Sequence, residues 1–247
     1  MTTTPTPQTI AVLKNVTAAM VLLETLIARP PGLPGLGVMS EPSGFGKTIA
    51  CQYAQNELGA IYIEARNYWT RKTFCEQLLI ELGMPRPRGT IAHLMGEIIT
   101  VLGNNPDRPL IIDEADVLVD IRAIELVRDI YETTQVPVLL VGEELLPQKL
   151  AEFERVHNRV LDWVLAEPCD QDDTAALAGI VCPKLELGAD LLDLIRQQAE
   201  GRARRIVVSL HDVASFARRE GLDRLDASSY GGRLFTGAAP RRHGRAA

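Results

Sequence analysis

The sequence predicts an α/β fold in which a parallel sheet is flanked by helices, followed by a small C-terminal α-helical domain. Three observations carry that expectation. Short apolar, β-branched runs alternate with stretches of helical periodicity over the first two thirds of the chain, the pattern of right-handed strand–helix–strand crossovers. A glycine-punctuated segment, Gly44-Phe45-Gly46-Lys47-Thr48, stands between one such run and a helix. After Pro168 the strand-like runs stop and helical periodicity continues alone.

Residues 8–29 place Ile10, Leu13, Val16, Met20, Leu23 and Ile27 three or four apart, an amphipathic helix ended by Arg29-Pro30-Pro31-Gly32. Leu36 to Met39 reads as a buried strand, and a helix from Thr48 runs to Leu58, where Gly59 stops it. Ile61-Tyr62-Ile63 is the second strand. Helices follow over 70–82, with Gly83 as stop, and from beyond Arg88 to about Leu102. Residues 109–113 form a strand ending in acids, 116–133 one helix, and 137–141 a further buried strand. Helices over 170–180, 190–200 and 203–220 make up the second domain. The expected organisation is an α/β domain over 1–168, a helical domain over 169–225, and a disordered basic tail over 226–247 containing Arg241-Arg242-His243-Gly244-Arg245.

The loop after the first strand carries phosphate chemistry. Pro42, Ser43, Gly44, Phe45 and Gly46 can turn backbone N–H groups inward around phosphates, and the helix opening through Thr48 and Ile49 adds its positive end. Lys47 reaches the β and γ phosphates of ATP, and the Thr48 hydroxyl is a ligand for Mg²⁺. The full pattern asks for glycine at position 41, where this chain has Glu41. The acids closing the strand at Leu110-Ile111-Ile112 supply the complement: Asp113 holds Mg²⁺ through its water shell, and Glu114 activates the water that attacks the γ phosphate.

Composition narrows the choices. A net charge of −6 offers no global basic field, so a nucleic-acid site must be a local patch. Four cysteines without paired C-x-x-C spacing, and four scattered histidines, argue against a structural metal cluster or a disulfide framework. No basic leader precedes an apolar stretch, and residues 18–28 are too short to span a bilayer, so a cytoplasmic location without membrane contact is expected.

The phosphate loop, the Ile-Ile-Asp-Glu strand, the Val-Leu-Leu-Val-Gly strand and the helical appendix with Gly201-Arg202-Ala203-Arg204-Arg205 together resemble the P-loop AAA+ ATPases over roughly residues 8–221. The stretches 138–147 and 154–160 are similar to the transposition ATPases, the branch of bacteriophage Mu transposition protein B and TnsC. That resemblance implies several roles. Glu143 falls where the superfamily senses the γ phosphate, usually with a neutral polar residue; the other reading is a surface turn. Arg159, or Arg155, matches the arginine that reaches onto a neighbouring subunit's nucleotide; the other reading is an ion pair with Glu152 or Glu154. Arg204 matches the arginine of the lid. Tyr68, Trp69, Thr70, Arg71 and Lys72 follow the second strand where such proteins contact the DNA backbone, with Arg86 and Arg88 as a second basic pair on the same rim; alternatively Tyr68 and Trp69 belong to a hydrophobic seam. The implied function is an ATPase in a bacterium or phage-infected host that oligomerises with ATP as a ring or filament on double-stranded DNA and recruits a transposase. The rivals are a replicative helicase loader, a P-loop NTPase acting on a small molecule, and an adaptor that binds nucleotide but barely hydrolyses it.

Overall fold

A computed structural model describes residues 13–237 of the chain. They divide into two compact units, with the boundary between Glu167 and Pro168.

In the first unit α1 (Lys14–Ala28) leads into β1 (Leu36–Ser40), α2 (Lys47–Leu58), β2 (Ile61–Glu64), α3 (Arg71–Glu81), α4 (Ile91–Gly103) and β3 (Leu110–Asp113). Then come α5 (Ala115–Asp120), α6 (Ile124–Thr134), β4 (Val138–Gly142), α7 (Leu146–Ala151), α8 (Glu154–His157) and β5 (Val160–Leu165). The five strands form one wholly parallel sheet in the order β2-β3-β4-β1-β5. This is the α/β fold the sequence predicts, with helices covering the sheet. β1, β3 and β4 are buried along their whole length, as their unbroken apolar runs require in a sheet covered on both faces. Residues 8–12 of the expected first helix lie outside the described residues.

Two parts of the first unit depart from expectation. The helix expected over 116–133 is two helices, interrupted at 121–123, where Arg122 takes a φ of 55°. The break re-phases the chain so that Val117, Leu118 and Val119 before it and Ile124, Val127 and Ile130 after it all enter one core. β5 was not foreseen. It is an edge strand whose residues are half-buried or exposed, and it contains Asp162, so it lacks the apolar signal of its neighbours.

The second unit contains α9 (Gln171–Val181), α10 (Ala189–Gln198) and α11 (Ala203–Glu220). It is not purely helical: β6 (Glu186–Leu187) pairs in parallel with β7 (Arg224–Leu225), strands too short to leave a periodic trace. Residues 226–237, expected to be disordered, fold back on α11. Asp226 accepts hydrogen bonds from the Ser228 and Ser229 amides at 2.9 and 2.8 Å, the Tyr230 ring stacks edge-on against Phe216, and the Phe235 amide donates to Ser209 Oγ at 3.0 Å. The arginines at 241–245 lie outside the described residues.

Candidate active site

Lys47 and the acids Asp113, Glu114 and Glu143 gather at the carboxyl ends of the central strands, where open parallel sheets place their ligands. The loop after β1 is shaped by Gly44 and Gly46, at φ 99° and 86°, a region that glycine enters without steric cost. Gly46 caps α2 with no side-chain hydrogen bond, leaving the helix's first N–H groups directed at the loop. Lys47 Nζ donates to the carbonyls of Glu41 and Pro42, so the ammonium is curled into the loop. Glu41, standing where the motif asks for glycine, takes a φ of 153°, also a region that favours glycine. Replacing it with glycine is expected to relieve about 1 kcal/mol net, after the entropic cost of glycine, and to raise Tm by about 2–4 °C in thermal unfolding. A lowered Tm would show that Glu41 is not strained.

α1 supports this loop through Asn15, which is only 4% exposed. Its Nδ2 donates to the carbonyls of Phe45 and Glu167, both at 2.8 Å, and its Oδ1 accepts from the Glu167 amide at 2.9 Å. A buried amide with these partners satisfied ties the phosphate loop to the scaffold. Helical periodicity alone cannot announce it.

Asp113 ends β3 with 2% exposure. Its Oδ2 accepts from the Tyr62 hydroxyl at 3.1 Å and its Oδ1 from the Glu114 amide at 3.0 Å. Tyr62 comes from the neighbouring strand β2, and burial together with Asp113 raises its pKa, which keeps it a neutral donor. Glu114 caps α5 in the left-handed region at φ 54°, the kind of local strain that clusters at reacting positions. Desolvation first, and then the charges of Asp113, Glu143 and Asp116, raise its pKa above the ordinary glutamate value.

Between β1 and β3 runs β4, so its exit enters the same cluster. Lys47 is faced by Asp113, Glu114, Glu143 and Asp116: burial lowers its pKa and the four carboxylates oppose that shift. Four acids around one ammonium repel a triphosphate unless a cation stands between them, so these residues suit Mg²⁺. Among the described residues no group of three or more His, Cys, Asp or Glu is arranged to hold a metal ion.

Residues 33–150 match the family model of the AAA domain. That match supports an ATP-hydrolysing activity. No curated protein matches the chain in sequence. Among solved structures, the Orc1 protein of Aeropyrum pernix in complex with DNA is similar with a TM-score of 0.62 and 18% identity, over 87% of this chain and 62% of that one. Cdc6p of Pyrobaculum aerophilum gives 0.62 and 18%, over 86% and 64%. The RuvB Holliday junction branch migration motor of Thermotoga maritima gives 0.57 and 17%, over 87% and 66%. The chain spans under two thirds of the length of these structures, and identities this low show the fold alone.

Within the first unit Lys47, Asp113, Glu114 and Glu143 come together, and Arg159 and Arg155 do not join them. The Arg159 carbonyl accepts from the amide of Leu36, the first residue of β1, whereas the phosphate loop follows its last residue, about 13 Å further along the strand. The guanidinium is bonded to Glu132 at 2.6 Å, neither Glu152 nor Glu154 being its partner. It borders a cleft of about 470 Å³ with Arg128, Glu132, Glu154, Arg155 and Asn158. Arg204 belongs to the second unit, exposed on the first turn of α11 beside Arg205, which is paired with Glu200 at 2.9 Å.

The segment after β2 divides. Tyr68 is 80% exposed, and Arg71 and Lys72 are exposed on the first turn of α3, with Lys72 3.5 Å from Glu76. Thr70 is the N-cap, its hydroxyl accepting from the Thr73 amide at 3.1 Å. Trp69 is 7% exposed and belongs to the hydrophobic core, so it does not pack on DNA sugars as expected. Arg86 and Arg88, also exposed, lie in the loop between α3 and α4. Among the described residues no helix is long and apolar enough to cross a membrane.

Proposed function

We propose that this protein is an ATP-switched, DNA-binding ATPase that assembles as an oligomer, each subunit completing its neighbour's site. The observation that carries this reading is the position of Arg159. A guanidinium at the amino end of β1 cannot reach the phosphates held at the carboxyl end of the same strand, so it serves a nucleotide bound by another copy. Lys47 binds the phosphates, Mg²⁺ held by Thr48 and Asp113 neutralises charge that develops on them, and Glu114 takes the proton of the attacking water. Arg159 of the next subunit stabilises the transition state, with Arg155 beside it, and Arg204 acts as the lid arginine. ATP bound at that junction favours assembly and its hydrolysis releases it.

Tyr68, Thr70, Arg71 and Lys72 form the DNA contact, a backbone-directed patch whose few charges per subunit gain affinity when many subunits share one strand. Of the two DNA readings, a helicase-loader type is the better supported. The neighbours in fold include a DNA-bound Orc1, a Cdc6 and a branch migration motor. A transposition ATPase that recruits a transposase is the second reading, favoured by the sequence of 138–147 and 154–160. Anisotropy of labelled random duplex and single-stranded DNA, with ATP, with ADP and without nucleotide, tests both. Tight cooperative binding with ATP alone supports the switch, with single-strand preference pointing to the loader and duplex preference to transposition. Equal binding in all three conditions refutes it.

A further inference from the structure

Where the resemblance to the AAA+ ATPases implies a residue that senses the γ phosphate, at the exit of β4, the chain has Gly142 followed by Glu143. The space beside Gly142 is filled from elsewhere. A Cβ at this position would stand 2.2 Å from Asp116 Oδ2 and 2.8 Å from a Leu146 methyl. That same Oδ2 accepts the Glu143 amide at 2.8 Å, and Lys149 Nζ lies 3.9 Å from Oδ1 while bonding Asp120 at 2.8 and 3.0 Å. The Asp116 side chain is 13% exposed and sits in the first turn of α5, two residues after Glu114.

We propose that Asp116 is a positioning residue for ATP hydrolysis, taking the place of the side chain Gly142 lacks and clamping the exit of β4 to the start of α5. Glu114 and Glu143 are thereby held as one unit around the γ phosphate, and Gly142 is required because any side chain there expels the carboxylate. This rests on the ATPase reading above, with Glu114 as the base. Burial raises the Asp116 pKa, opposed by the Glu143 amide and Lys149, in accord with a carboxylate held in place by donors.

The test compares Asp116→Ala, Asp116→Asn, Gly142→Ala and Glu114→Gln with the parent protein, by steady-state phosphate release, fluorescent ATP-analogue binding and thermal melting. Asp116→Ala is expected to lower kcat at least tenfold with analogue Kd within about twofold. Asp116→Asn, whose amide oxygen still accepts from Glu143, restores kcat to within about threefold of the parent. Gly142→Ala reproduces the loss although Asp116 is intact. A kcat for Asp116→Ala within twofold of the parent overturns the proposal, as does a loss in Asp116→Asn equal to that in Asp116→Ala. If the parent releases no phosphate, the ATPase reading itself fails, and if Glu114→Gln turns over like the parent, Glu114 is not the base, whatever Asp116 does.

Discussion

Substituting glutamine for Glu114 is expected to lower ATP turnover about 10²- to 10⁴-fold while leaving ATP binding intact. Glutamine keeps the size of the side chain at the cap of α5 but cannot accept the proton of the attacking water. Binding survives because the change removes one of four carboxylates from around Lys47, which lessens repulsion of the triphosphate. Release is the step that hydrolysis drives, so ATP-loaded assemblies of this variant persist on DNA. Phosphate release and DNA-bound lifetime measure the two effects; prompt disassembly in ATP would remove Glu114 from the role of base.

Lys47→Ala is expected to have the opposite signature. A charge-assisted contact to phosphate contributes about 3 kcal/mol, so ATP affinity falls about 10²-fold. The four acids lose the ammonium they share, and the carbonyls of Glu41 and Pro42 lose their donor. ATP-dependent DNA binding disappears with nucleotide binding, whereas Glu114→Gln retains both. Isothermal titration with ATP and DNA anisotropy read this directly; DNA binding that still responds to ATP in Lys47→Ala would uncouple the phosphate loop from the switch.

The parallel sheet and the glycine-shaped loop after β1 were legible because their signals are local. Gly44, Gly46 and Lys47 act within a few residues of one another, and β1, β3 and β4 are buried on both faces, so their apolar runs stand out. What escaped depends on partners distant in the chain. Asn15 looks like one polar residue in an amphipathic helix until its amide meets Phe45 and Glu167. Tyr62 reads as strand filling, and only the β2–β3 pairing brings its hydroxyl to Asp113. Asp116 reads as a first-turn helix acid, and only β4 lying next to β3 in the sheet brings the Glu143 amide to it. Trp69 was misplaced for the converse reason. Beside exposed Tyr68 and basic Arg71 it suggests a surface, yet the chain turns it into the core. β5, exposed along one edge, never had a buried pattern to display.

The claim on which assembly rests is that Arg159 acts across a subunit boundary, and an equimolar mixture of Lys47→Ala and Arg159→Ala tests it most directly. Each variant alone is inactive, the first for want of a phosphate grip and the second for want of an arginine worth about 10³-fold or more. Mixed, the intact phosphate loop of one meets the intact arginine of the other, and ATP hydrolysis on DNA returns to a substantial fraction of the parent rate. Turnover in the mixture no greater than the sum of the separate variants, at concentrations where the parent protein assembles, would contradict a site shared between subunits.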